Sequence, residues 1–173
     1  GEGGAAEALP LLEAAVAARP DDLPALECKG EVLGRLGRPE EGLAAYRMAL
    51  SREPTRQTAL EGAAYLASRS GRLKDAVPFW RQAIAINPWR SDYYTQLAWV
   101  ELQVSDWPAA AESCRHALRL NPSLVQARKW LVQCDLQLGN LETARSEFEI
   151  LLGFDPPDRD ALLRWFTPLV PKR

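Results

Sequence analysis

The chain has 173 residues, with 21 basic and 23 acidic side chains, a net charge of −2 and 47% hydrophobic residues. That balance speaks against a nucleic-acid surface, which carries a basic stripe and a high pI. No apolar run approaches the roughly 18 residues that direct membrane insertion of a helix needs.

Along the chain, prolines recur at a fixed step of 34 residues: Pro20, Pro54, Pro88, Pro122 and Pro156. A period of this length is the signature of a helical repeat array, in which stacked repeats rather than one closed core bury the apolar surface. With proline as repeat position 32, a half repeat covers 5–22. Full repeats cover 23–56, 57–90, 91–124 and 125–158, and a terminal helix covers 159–173. The expected organisation is a single array over 1–173.

The predicted elements are all helices. The first spans 5–18. Pairs then follow at 22–36 and 39–52, 56–70 and 73–86, 90–104 and 107–120, and 124–138 and 141–153. A last helix covers 158–167. Position 20 holds Ala8, Gly42, Ala76, Ala110 and Ala144, and position 27 is alanine in four of its five copies. Such residues let antiparallel helices approach closely. Position 24 is large (Leu12, Tyr46, Trp80, Cys114, Phe148) and is read as core filler between repeats. Position 15 holds Gly37, Gly71, Ser105 and Gly139, suited to a chain leaving a helix in the left-handed conformation. Pro at position 32 ends the second helix and holds the residue before it extended. Pro10 and Pro78 fall at position 22, where a tolerated kink near a helix start is expected.

This pattern resembles the tetratricopeptide repeat family. The small residue, the aromatic four positions on and the closing proline are met by Ala76, Trp80 and Pro88, and again by Ala144, Phe148 and Pro156. The resemblance runs from about Ala5 to about Phe166. The sequence departs from the family at position 4 (Leu26, Leu60, Tyr94, Arg128) and at position 11 (Leu33, Ala67, Glu101, Asp135). What the resemblance implies is an all-α, right-handed superhelical α-solenoid of about ten helices. Its concave wall is made by the first helix of each pair, and it binds a protein or peptide segment there.

Positions on that wall give the candidate contacts: Glu27, Glu31 and Arg35, then Glu61, Tyr65 and Arg69. The third repeat adds Asp92, Thr95, Trp99 and Gln103, and the fourth adds Lys129 and Gln133. Tyr65 and Trp99 both occupy position 9, so they are expected side by side, either as interface anchors or lying flat as partial core. Two binding codes of the family do not fit. The carboxylate clamp needs cations where Glu27, Glu31 and Glu61 stand. The asparagine ladder needs asparagine where Cys28, Gly62, Gln96 and Trp130 stand. The remaining groove grades from acidic to amide-rich, and reads either as solvated helix surface with local pairs such as Glu31 and Arg35, or as a surface that suits a segment with Arg or Lys at one end.

No catalytic, cofactor or metal constellation is legible. The single histidine, His116, has no nucleophile to serve, and Cys28, Cys114 and Cys134 lack metal spacing and read as buried thiols. Unpaired cysteines lean toward a reducing, cytoplasmic compartment. The chain opens on Gly1-Glu2-Gly3-Gly4 and inside a repeat, which reads as part of something longer. The alternative role is therefore a structural or recruitment domain of a larger multidomain protein. The last helix, with Leu162, Leu163, Trp165 and Phe166 and then Leu169 and Val170, is apolar on many sides. It is expected to be truncated, folded back or in contact with another chain.

Overall fold

The computed structural model describes residues 2–169. Ten helices are present among them, with no strand: α1 (Glu2–Ala18), α2 (Leu23–Arg35), α3 (Pro39–Arg52), α4 (Gln57–Arg69), α5 (Leu73–Ile86), α6 (Ser91–Gln103), α7 (Trp107–Leu120), α8 (Val125–Gln137), α9 (Leu141–Gly153) and α10 (Arg159–Phe166). From α2 on, the boundaries fall within a residue of the expected ones. They group into two compact units, Gly1–Pro88 and Trp89–Arg173.

One turn chemistry recurs after every first helix of a pair. Gly37, Gly71 and Gly139 have φ of 71°, 76° and 75°, and Ser105 takes the same left-handed conformation at 59°. The following N–H then reaches back over the helix end: Arg38 to Leu33, Arg72 to Ala67, Asp106 to Glu101 and Asn140 to Asp135, all at 2.8–2.9 Å. This is the Schellman closure, which satisfies a terminal carbonyl and reverses the chain. The second helices end in extended residues ahead of proline, as at Glu53 (φ −133°, ψ 89°) and Asn87 (φ −133°, ψ 82°). The last one differs. Before Pro156, Asp155 is left-handed at φ 48° rather than extended, and α9 stops one residue sooner in the repeat, at Gly153. Aspartate is among the few residues that tolerate this region.

In the first unit, α2 and α3, α3 and α4, and α4 and α5 pack as antiparallel neighbours, and α2 also meets α4. Leu26, Leu33, Leu43, Leu60 and Trp80 are buried between them with a run of alanines. Pro78 lies six residues into α5 and Pro10 nine residues into α1, deeper than expected. Both helices continue through the proline, which removes one internal hydrogen bond from each.

The second unit has two clusters. Leu102, Cys114, Leu118, Leu131 and Cys134 form one, with Tyr94, Trp107 and Trp130 packed on it. Val132, Phe148, Leu151 and Phe166 form the other. Phe166 stacks on Phe148 with centroids 3.9 Å apart, which docks α10. The apolar excess of α10 is therefore partly absorbed within the unit, while Trp165 and Leu169 stay exposed. Val170 lies outside the described residues.

The departures from the family pattern carry partners. Buried Glu101 accepts from Ser113 Oγ at 2.7 Å. Buried Asp135 accepts from Arg115 at 2.8 Å and Asn140 at 3.3 Å. Arg128 pairs with Glu147, donates to the Pro122 carbonyl at 3.0 Å and lies over the Phe154 ring. Most of the polar atoms that these residues carry into the interior are met by hydrogen bonds, without which burial would be costly, while Arg128 Nε is buried without one.

Candidate functional site

The first unit holds a groove of about 1210 Å³. Its walls are α2 and α4, which run parallel because α3 reverses the chain between them. Their register is fixed at the start of both helices. Arg56 donates to both Glu27 oxygens at 2.6 and 3.1 Å, and Thr58 Oγ1 donates to Glu27 Oε1 at 2.5 Å.

Six of the expected contact residues line this groove together: Glu27, Glu31, Arg35, Glu61, Tyr65 and Arg69. Tyr65 is 39% exposed and meets the buried Trp80 edge to face at 4.8 Å. Its ring is thus backed by core and partly exposed. The groove carries charge of both signs. Glu27 is already neutralised by the fork from Arg56, while Glu31 is exposed. Arg35 and Arg69 make the far end of the groove basic. A helix rises about 1.5 Å per residue. Glu31 and Arg35 are therefore about one turn apart, and Glu61 and Arg69 about two.

The floor was not read from the sequence as part of a site. It is Tyr46 of α3, exposed by only 6%, seen between Gly30 of α2 and Gly62 of α4. A Cβ at Gly30 would lie 2.7 Å from the Tyr46 ring, and one at Gly62 would lie 2.5 Å from it. Only glycine at both positions leaves room for the ring. Gly34 serves Leu66 in the same way, at 2.7 Å. Tyr46 stands at position 24, where a large side chain reads as core. The signal that would have found it is glycine facing it from two helices. Burial, with Glu31, Glu27 and Cys28 nearby, pushes the Tyr46 phenol up to about 12. It is neutral at physiological pH.

The other six residues belong to the second unit and do not line this groove. Asp92 pairs with Arg90 at 2.6 Å, Thr95 Oγ1 donates to the Ser91 carbonyl at 2.8 Å, and Lys129 holds both Asp158 oxygens at 2.7 Å. Trp99 is half-buried; Gln103 and Gln133 are exposed. Among the cysteines, Cys28 is exposed on the groove instead of buried. Cys114 and Cys134 are buried as expected. His116 lies flat on Tyr94 at 5.0 Å and contacts Glu112 at 2.9 Å. No cluster of metal-ligating side chains, and no helix long and apolar enough to cross a membrane, occurs among the described residues.

Residues 29–88 and 101–164 each match a family model described as tetratricopeptide repeat, and together they span more than half of the chain. The search of curated proteins gives no match. Solved structures resemble the chain at low identity. MamA from Desulfovibrio magneticus RS-1, residues 41 to the end, is 19% identical over 88% of this chain and 86% of that one, with a TM-score of 0.75. YrrB, described as a TPR protein with an unusual peptide-binding site, is 21% identical over 89% and 82%, with a TM-score of 0.69. A tetratricopeptide repeat protein from Parabacteroides merdae ATCC 43184 is 24% identical over 96% and 66%, with a TM-score of 0.76. At these identities the likeness is one of fold, an all-α solenoid of helix pairs.

Proposed function

The chain belongs to the tetratricopeptide repeat family, whose arrays are protein interaction modules, and from that premise we propose that its first unit takes a segment of a partner protein in the groove between α2 and α4. The observation that supports this is the convergence of six wall residues with an aromatic ring on one open surface. Tyr65 is held by Trp80 and so loses little freedom on binding. Rigid aromatics of this kind dominate interface energetics. The fold is typically that of a non-catalytic scaffold, and the function is read as recognition without chemistry.

A random nonapeptide library displayed on phage and selected against the protein supplies the probe. The best peptide is then titrated against wild type, Tyr65→Ala and Trp99→Ala, with folding checked by circular dichroism. Tyr65→Ala is expected to weaken binding by at least about tenfold, the scale of an interface anchor. Wild-type affinity in Tyr65→Ala overturns the proposal. Trp99→Ala reports whether the second unit contributes.

A further inference from the structure

The groove presents the hydroxyl of Tyr46. Tyr46 is 94% removed from solvent, its side chain lines the groove, and its hydroxyl takes no hydrogen bond among the described residues. The ring is buried, and the hydroxyl opens onto the groove, where an incoming donor can meet it. The phenol lies within the field of Glu31 and Glu27, and the Arg56 fork already neutralises the second of these. Glu31 is exposed beside it. The Tyr65 ring, 39% exposed, lines the same groove.

We infer that the α2–α4 groove contains a subsite for one basic side chain, arginine or lysine, of the bound segment. The cation would donate to Tyr46 Oη, face the Glu31 carboxylate and lie against Tyr65. The chemistry fits on each count. A neutral phenol accepts a hydrogen bond, a carboxylate provides the countercharge, and an aromatic wall attracts cations. Gly30 and Gly62 supply the depth, since a Cβ at either would displace the ring. Arg35 and Arg69, toward the other end, disfavour a second cation there and set the direction of the segment. This inference rests on the groove reading above and adds a specificity to it.

The test uses the selected nonapeptides and the full chain. Wild-type selection is expected to enrich arginine or lysine at one position. Replacing that arginine by citrulline, which keeps its shape and removes its charge (or that lysine by norleucine), is expected to weaken binding about tenfold or more. Tyr46→Phe removes only the hydroxyl, and Glu31→Gln only the charge. Each is expected to weaken the basic peptide severalfold and to shrink the penalty of the neutral replacement. Peptides that need Tyr65 but show no basic preference, or that bind Tyr46→Phe and Glu31→Gln as they bind wild type, overturn the subsite and leave the groove. Peptides indifferent to Tyr65, or no enriched peptide at all, overturn both.

Discussion

Glycine at positions 30 and 62 costs helix stability, because each forfeits roughly 0.5–1 kcal/mol relative to alanine. The Tyr46 ring explains why alanine is not simply better there. Gly62→Ala is expected to destabilise the protein despite its higher helix propensity, and to stabilise it in a Tyr46→Leu background. Chemical denaturation of the four variants reads this reversal of sign; the same sign in both backgrounds would refute the clash. At Cys28 the same groove gives a chemical handle. Burial pushes the Cys134 thiol up to about 11 and raises Cys114 further, while Cys28 is exposed. Thiolates are the reactive form. Maleimide at mildly alkaline pH is therefore expected to modify Cys28 alone in the folded chain, more slowly when a groove peptide is bound. Mass spectrometry finding early modification of Cys114 or Cys134 would contradict the burial of these two thiols.

At the scale of elements, the turns and helix ends were legible because single residue types have single physical meanings there. Glycine at position 15 needs a left-handed backbone, and proline at position 32 needs an extended predecessor. Ser105 obeys the position without the residue, and a left-handed non-glycine residue is strained by about 1 kcal/mol. Ser105→Gly is expected to stabilise the chain by that amount, and thermal denaturation measures it. Asp155 broke the proline rule because the rule is a preference and the α9 turn closes through a left-handed residue. The groove walls were legible for the same reason as the helices, since register alone assigns a face. The floor was not, because whether Tyr46 is core or surface depends on what lies above it in three dimensions. Glu27 shows a further limit: its neutralisation comes from Arg56, 29 residues away. The docking of α10 shows how such a tie responds to pH. The hydrogen bond from Lys129 holds the Asp158 carboxyl below the usual carboxylate range. A depressed carboxyl adds stability above its ordinary range, and that contribution is lost as pH falls through its lowered folded value. Hydrogen exchange in α10 is thus expected to quicken under acid. Asp158→Asn should remove that step, and an identical acid profile in the variant would count against the tie.

At the scale of the whole molecule, the period implied one array over 1–173, and the helices group as two compact units meeting in sequence at Pro88 and Trp89. Repeat proteins draw their stability from each repeat and its nearest neighbours, so a part can hold its structure at reduced stability. Every residue lining the α2–α4 groove comes from Glu27–Ser70, well inside the first unit, and that unit has its own buried leucines, alanines and Trp80. A chain of residues 1–88 is therefore expected to be helical by circular dichroism. It should melt below the full chain, because it carries fewer repeat interfaces. It should also bind the selected peptide with an affinity within severalfold of the full protein. A folded 1–88 chain that has lost binding would show that recognition needs residues of the second unit, with Trp99 the first to examine. Full retention would place recognition in five helices and leave Trp89–Arg173 free for a separate task.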